Sequence, residues 1–236
     1  MELQDKRVLV AGGSSGIGLA VARAAAAAGA AVTIAGRSGT RLEAAAATIP
    51  RAVERLPLDI GDEEQVAHAV AGRPPFDHIA VTAGEVRTAP LRKQKIAEAM
   101  AGMNTKFWGA WRVASLVPVV EGGSITLTSG AFAQRPAAGR VIAGAINAAI
   151  EGLARGLALE LAPTRVNVVS PGLVDTPLWA GMPADRRQAL FEKTAAALPA
   201  RRVATAEDIA ALYLTCMTVP VVTGTVLLAD GGHVLV

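Results

Sequence analysis

Residues 7–18 read RVLVAGGSSGIG, a short apolar run that passes directly into a glycine-rich segment, and a stretch of helical composition follows. Glycine at positions 12, 16 and 18 lets the backbone turn tightly and approach a pyrophosphate without a clash from Cβ atoms. A helix that begins here presents unpaired N–H groups and the positive end of its dipole to such an anion. Because the segment joins a first strand to a first helix, it predicts a dinucleotide-binding loop rather than an ordinary glycine-rich turn. The residues predicted to contact the phosphates are Gly12, Ser14, Ser15, Gly16, Ile17 and Gly18.

Beyond this loop, apolar runs of strand length alternate with helical stretches to the end of the chain. That alternation predicts βαβ units and a parallel sheet. The predicted strands are Arg7–Ala11, Ala31–Gly36, Val53–Leu58, Asp77–Thr82, Ser124–Thr128, Arg165–Ser170 and Gly224–Leu228. The predicted helices are Gly16–Gly29, Arg41–Ile49, Asp62–Ala71, Ala97–Val117, Arg140–Ala162 and Ala206–Met217, with an irregular helical region at Pro177–Ala197. We therefore expect residues 1–236 to form one α/β domain, a doubly wound Rossmann-type fold with a seven-stranded parallel sheet and helices on both faces.

The composition agrees with this fold class and argues against several others. Of the 236 residues, 52% are hydrophobic and only 3% aromatic, as expected for an aliphatic sheet covered on both faces. The net charge is +3, but the basic residues are scattered, which argues against nucleic-acid binding. No uninterrupted apolar run approaches the roughly 18 residues of a membrane span. The single cysteine, Cys216, favours a reducing, cytoplasmic location, and no cluster of residues at ligand spacing indicates a metal site.

The end of the second predicted strand indicates which dinucleotide is bound. Folds that select NAD place an acidic residue there to bind the ribose 2′-hydroxyl. This strand ends Gly36-Arg37-Ser38, without an acid. A guanidinium is a permanently charged, forked donor that suits a 2′-phosphate. Arg37 and Ser38 therefore predict NADP(H), the alternative being that Arg37 is an ordinary surface arginine.

The chain resembles the short-chain dehydrogenase/reductase family along its whole length. Residues 11–18 match the family's TGxxxGIG, and the segment VTAG at 81–84 stands where the family usually has NNAG. The segment SPGLVDTP at 170–177 matches the family's PGxxxT element, and DGG at 230–232 matches its C-terminal pattern. The resemblance implies further cofactor contacts and two catalytic positions. These are Asp59 at the adenine, Ala83, Gly84, Pro171, Gly172, Val174 and Thr176 along the cofactor, and Asn104 and Ser129 at the catalytic Asn and Ser positions.

The family's Tyr-x-x-x-Lys pair is not found at the corresponding positions. Counting back from Glu151 places Ala143 and Asn147 there, whereas counting forward from Ser129 gives Ile142 and Ile146. Neither register supplies the pair. Tyr213, the single tyrosine, lies in the last predicted helix, where we expect a core position.

Several polar residues are candidates to replace the pair. Ser129 can donate to a substrate oxygen, and Asn147 can bind the ribose hydroxyls as the lysine would, although it is neutral. Arg140, one turn before Ala143, can stabilise an alkoxide or anchor an acidic substrate. Lys106, two residues after Asn104, is a further candidate. The competing interpretation is structural in each case, and it is preferred for the three histidines, His68, His78 and His233.

These observations predict an NADP(H)-dependent oxidoreductase that acts on a small carbonyl, alcohol or activated double bond with an altered proton donor. The alternatives are a cofactor-binding protein without catalysis and a non-redox lyase or isomerase that uses the same pocket. The segment after the carboxamide loop, which includes Trp179 and Met182, is expected to cover the substrate, as in the family. The family pairs through the long helices after its fourth and fifth strands, so we expect a homo-oligomer, a dimer or tetramer.

Overall fold

The computed structural model describes residues 3–236, and the β-strands it contains form one large sheet and one small one. The strands are β1 (Arg7–Ala11), β2 (Ala31–Gly36), β3 (Glu54–Pro57), β4 (Phe76–Val81), β5 (Val119–Thr128), β6 (Arg165–Pro171), β7 (Val174–Asp175), β8 (Ala204–Thr205) and β9 (Val226–Ala229). The large sheet is parallel throughout, in the order β3-β2-β1-β4-β5-β6-β9, while β7 and β8 pair separately. The prediction of a seven-stranded parallel sheet is confirmed.

Helices cover both faces of this sheet. They are α1 (Gly16–Ala27), α2 (Gly39–Ala46), α3 (Glu63–Val70), α4 (Ile96–Gly102), α5 (Gly109–Leu116), α6 (Val141–Glu160), α7 (Ala184–Ala197) and α8 (Ala206–Thr218), with a π-helical turn at Met103–Trp108 and short 3-10 turns at Leu91–Lys93, Ala131–Ala133, Pro177–Trp179 and His233–Leu235. Helices α1, α2 and α8 share one aliphatic core with the sheet, and α3, α5 and α6 share the other. The doubly wound arrangement is therefore confirmed as well.

The sheet brings the ends of its central strands to one edge. The backbone N–H groups of Thr82 and Ala83 donate to the carbonyl of Ala11 at 2.8 and 3.0 Å, and that of Ser129 donates to the carbonyl of Val169 at 3.0 Å. The chain order reverses between β1 and β4. In open α/β sheets, ligands bind at the carboxyl ends of the strands beside such a reversal.

The long helix predicted at Ala97–Val117 is wrong as a single α-helix. The structure divides it into α4, the π-helical turn and α5. The hydroxyl of Thr105 donates to the carbonyl of Ala101 at 3.0 Å, and such bonding by a side chain competes with the regular backbone pattern of a helix. The region Pro177–Ala197 is likewise divided, into a 3-10 turn at Pro177–Trp179 and α7, whose N-cap is Pro183.

Helix α6, Val141–Glu160, is slightly shorter than the predicted Arg140–Ala162, and it is strongly apolar. By length and composition it passes as a membrane-crossing segment, with a mean hydropathy of 1.3. Glu151 and Arg155 interrupt its apolar runs without lowering that mean enough to exclude it. In the fold, Ile146, Ile150 and Ala154 lie in the core against the sheet, as in the core helix of a globular domain.

Candidate active site

The glycine-rich loop after β1 forms a tight cradle in front of α1. Gly12 and Gly16 have φ angles of +94° and +53°, in the region that favours glycine. A Cβ atom at Gly12 would lie 2.6 Å from the backbone nitrogen of Ala83, and one at Gly18 would lie 2.2 Å from the carbonyl oxygen of Gly12. The first turn of α1 carries no acidic residue, and the side chain of its N-cap, Ser15, does not cap it. Its N–H groups are therefore available to an anion, and the cradle fits a pyrophosphate.

A second arginine accompanies Arg37 near this cradle. Arg37 is exposed after β2, and Ser38 caps α2 by accepting from the backbone N–H of Arg41 at 3.3 Å. The guanidinium of Arg41 also donates to Ser15 Oγ at 3.0 Å. Arg41 thus connects α2 to the phosphate loop. Arg41 was not predicted as a site residue because its contact joins residues 26 positions apart. Its position in the first turn of the helix after Arg37 was a signal that could have identified it.

The turn after β3 joins Asp59 to the predicted Asn position. Asp59 Oδ1 accepts from the backbone N–H of Gly61 at 2.9 Å. Asn104 Nδ2 donates to the carbonyl of Gly61 at 3.0 Å. Asp59 and Asn104 therefore lie in one neighbourhood, and the Asn104 side chain holds this turn in the structure. A direct catalytic role for Asn104 stays a prediction.

Lys106 extends from the π-helical turn to α6. Its Nζ donates to Asn147 Oδ1 at 2.6 Å and to the carbonyl of Ser129 at 2.9 Å. Asn147 Nδ2 donates in turn to the carbonyl of Gly130 at 3.2 Å, which leaves its oxygen toward the ammonium. Burial lowers the pKa of the Lys106 ammonium from its usual 10.5 to about 8. The Lys106 ammonium thus contacts the side-chain oxygen of Asn147, the residue at which the resemblance to the family implies a lysine.

Ser129, whose carbonyl accepts from Lys106, has a buried side chain. It is 3% exposed, and its hydroxyl donates to Glu151 Oε1 at 3.0 Å. Ile146 is fully buried in the core, whereas Asn147 contacts Lys106 and Gly130. The structure therefore favours the register that puts Ala143 and Asn147 at the pair positions. This register is shifted by one residue from the count that starts at Ser129, so it places Gly130 at the family's Ser position. The donor role of Ser129 stays a prediction.

The loop after β6 reaches back to the phosphate cradle. A Cβ atom at Gly172 would lie 2.8 Å from Asp230 Cα, and one at Gly16 would lie 3.5 Å from Thr176 Cβ. Val174 is buried in β7, while Pro171 ends β6. The predicted carboxamide loop therefore lies against the predicted phosphate loop, on the side where the cofactor is expected.

Arg140 and the segment that follows Thr176 lie between β5 and α6 and after β7, respectively. Arg140 Nη1 donates to Thr88 Oγ1, and its guanidinium lies 5.9 Å from the centre of the Phe132 ring. Trp179 Nε1 donates to the carbonyl of Val174 at 3.0 Å, and its ring meets Phe191 edge-on at 6.5 Å. Arg140 thus bridges the loops that follow β4 and β5. The covering role of 177–197 stays a prediction.

In the described residues, the side chains of Tyr213 and the three histidines form no hydrogen bond with Lys106, Asn147 or Ser129. Tyr213 is completely buried, its hydroxyl bonds Thr128 Oγ1, and burial raises its pKa. It occupies the core position that the sequence predicted. His78 is buried against Ser124 Oγ at 2.9 Å, His68 is exposed on α3, and His233 lies in the C-terminal turn.

Comparisons with known proteins agree with this fold. A family model described as enoyl-(acyl carrier protein) reductase matches residues 11–233. The short-chain dehydrogenase/reductase malC of Malbranchea aurantiaca is 34% identical over 99% of this chain and 96% of its own length. A small-chain dehydrogenase crystallised with NADPH is 36% identical, with a TM-score of 0.85 over 99% of this chain and 100% of the other. The structure of the MalC reductase/Diels-Alderase from M. aurantiaca is 33% identical, with a TM-score of 0.92 over 99% and 98%.

Proposed function

The chain belongs to the short-chain dehydrogenase/reductase family, and we propose that it is an NADP(H)-dependent oxidoreductase with an altered proton donor. Its substrate is a small carbonyl or alcohol compound or an activated double bond. When bound, the reduced nicotinamide supplies a hydride to the substrate carbon. The residues of this chain hold the cofactor, orient the substrate oxygen and supply the proton.

The preference for NADP(H) depends on the corner between β2 and α2. No acidic residue follows β2 directly: the exposed Arg37 comes next, and the guanidinium of Arg41 donates to Ser15 in the phosphate loop. A carboxylate here would repel a 2′-phosphate, whereas each charge-assisted hydrogen bond to one contributes roughly 1.5–3 kcal/mol. The related small-chain dehydrogenase that binds NADPH supports the same choice.

Titration of the purified protein with each cofactor tests this preference. We expect NADPH to bind at least about tenfold more tightly than NADH, and Arg37→Asp to reverse that order. Arg41→Gln should lower the affinity for NADPH and leave the affinity for NADH nearly unchanged. Arg51, exposed and distant in sequence from the loop, provides the matched control Arg51→Asp, which should change neither affinity. Equal affinities of the parent protein for the two cofactors would contradict the proposal.

We infer that the proton donor differs from that of the family, because the favoured register puts Ala143 and Asn147 at the pair positions. Ser129 with a bound water is one candidate. If it donates, Ser129→Ala should abolish NADPH oxidation while NADPH affinity stays nearly the same. The bond from Ser129 to Glu151 predicts a second effect, a loss of stability, so unfolding is measured in parallel. Unaltered turnover would remove Ser129 from the mechanism.

A non-redox reaction in the same cleft is the second candidate function. A related structure is described as a reductase/Diels-Alderase, so one protein of this family is credited with both kinds of chemistry. A site without the tyrosine acid suits a reaction that needs no proton transfer. Product formation without a change in absorbance at 340 nm would favour this candidate. Stoichiometric NADPH binding without any turnover would instead favour a cofactor-binding role alone.

A further inference from the structure

Lys106 extends to Asn147 from the π-helical turn, whereas the family's Tyr-x-x-x-Lys pair would lie on α6. Asn147 and Ala143 lie one turn apart on the same face of α6. The ammonium of Lys106 lies 2.6 Å from Asn147 Oδ1. A positive charge is therefore hydrogen-bonded to Asn147, the residue that occupies the family's lysine position. Two of its three N–H groups are engaged, by Asn147 and by the carbonyl of Ser129. Within residues 3–236 the third N–H has no partner.

The surrounding residues are shaped to admit this lysine. A Cβ atom at Gly84 would lie 2.9 Å from Lys106 Cβ, and one at Gly130 would lie 2.8 Å from Asn147 Nδ2. A side chain at either glycine would displace Lys106 or the asparagine that orients it. Asn147 is 4% exposed, and its amide is fixed at both ends. The contacts therefore hold the ammonium in one place.

We propose that Lys106 is the proton donor that replaces the missing tyrosine, an inference that rests on the proposed oxidoreductase function. As hydride reaches the carbonyl carbon, a C–H bond forms and the π pair moves to oxygen. One N–H bond of the ammonium breaks as the O–H bond forms, and the neutral amine regains a proton from water. The two bonds that remain, to Asn147 and Ser129, keep Nζ at the oxygen.

The ionisation of Lys106 suits this role. With a pKa near 8, the ammonium is protonated at neutral pH yet gives up its proton far more easily than an exposed lysine does. Burial is the cause of the shift. The ionisable groups on the neighbouring elements form no hydrogen bond or ion pair with Nζ in the described part of the chain: Glu85 after β4, Glu98 on α4, Arg112 on α5 and Glu151 on α6.

Substitution of Lys106 by arginine tests the proposal most directly. Arginine keeps the charge but does not release its proton near neutral pH. With NADPH and a panel of menadione, ethyl acetoacetate and trans-2-hexenal, Lys106→Arg should lower kcat by about 10²- to 10⁴-fold. NADPH affinity should stay nearly unchanged. Lys6→Met, at the opposite edge of the sheet and half exposed, is the matched control and should keep the parental rate.

The pH dependence gives a readout that a structural role would not move. The acid must be protonated, so the parental kcat should be constant below about pH 8 and fall about tenfold per unit above it. In protein labelled with ¹³C-lysine, the Lys106 Cε signal, identified by its loss in Lys106→Met, should titrate with the same pKa. A parental rate in Lys106→Arg, or a Lys106 pKa near 10.5, would overturn this inference alone. A parent protein that binds NADPH but reduces no panel member would contradict the proposed function itself.

Discussion

At the scale of single residues, glycines decide where the cofactor cradle can form. Gly12, Gly16 and Gly18 are not interchangeable, since the first two need a positive φ and the third needs the absence of a Cβ. The hypothetical Cβ of Gly18 would also lie 2.4 Å from Thr82 Oγ1. That close approach joins the start of α1 to the ends of β1 and β4. The same residue therefore affects both packing and cofactor binding.

Gly18→Ala should disrupt this contact. A methyl group 2.2 Å from the Gly12 carbonyl forces the loop or α1 to shift, which costs roughly 1–3 kcal/mol of stability. NADPH affinity should fall at least about tenfold, because the N–H groups of the loop lose their alignment. Gly152→Ala is the control: it lies on α6 with no atom within 4 Å of the new Cβ and should stabilise by about 0.5–1 kcal/mol. Isothermal titration and urea unfolding measure the two effects, and an unchanged NADPH affinity in Gly18→Ala would refute the role of this contact.

Residue types alone could not reveal the Lys106 contact. Residues 104 and 106 point in different directions on a regular α-helix, and the π-helical turn at Met103–Trp108 was not predicted. Lys106 and Asn147 are 41 positions apart, so only the packing of this turn on α6 shows that they meet. The burial of Ile146 favours the register that puts Ala143 and Asn147 at the pair positions, and the absence of the pair stays a prediction.

At the scale of secondary-structure elements, periodicity predicted the architecture well and the irregular parts poorly. All seven strands of the large sheet were predicted, because buried parallel strands appear as short apolar runs. β5 begins five residues earlier than predicted, at Val119 rather than Ser124, since its exposed first half lacks that pattern. The two-residue strands β7 and β8 were missed because they are too short to show a period.

The pairing of β4 with β5 makes stability depend on pH. His78 on β4 is buried against Ser124 on β5, and burial lowers its pKa from 6.5 to about 4. The unfolded chain therefore binds a proton that the folded chain refuses between these two values, so stability falls as the pH drops from about 6.5 to 4. The loss amounts to at most about 3 kcal/mol.

Replacement of His78 isolates this contribution. In His78→Asn, the decrease in unfolding free energy between about pH 7 and pH 4 should be smaller than in the parent by up to about 3 kcal/mol. The comparison is made within each variant, so a general loss of stability does not obscure it. His68→Asn, at an exposed position on α3, should keep the parental pH dependence. If His78→Asn kept it too, the neutral, buried state of His78 would be disproved.

At the scale of the whole molecule, the π-helical turn, α5 and α6 leave large apolar side chains exposed. Trp108 and Trp111 are 45% and 46% exposed and lie 6.1 Å apart, and Leu159 near the end of α6 is 84% exposed. Water-exposed tryptophans and leucines on adjacent helices are costly unless another surface covers them. The resemblance to the family implies that the helices after the fourth and fifth strands form the contact between subunits. These side chains lie on the same helices.

We therefore expect a homo-oligomer, a dimer or tetramer, that is symmetric about this face. In a two-fold interface each changed residue occurs twice, so one charge per chain introduces two repelling, desolvated charges. Trp111→Glu and Leu159→Glu should each shift the mass in solution toward the monomer at micromolar concentration, as measured by light scattering. Ala44→Glu, exposed on α2, adds the same charge on another face and should leave the mass unchanged. A parent protein of monomeric mass would refute the assembly, whereas an oligomer that both substitutions leave intact would place the interface elsewhere on the surface. Asn147 also lies on α6. If the partner helix stabilises α6, the monomeric variants should bind NADPH more weakly than the parent does. Titration of the same samples with NADPH measures this effect.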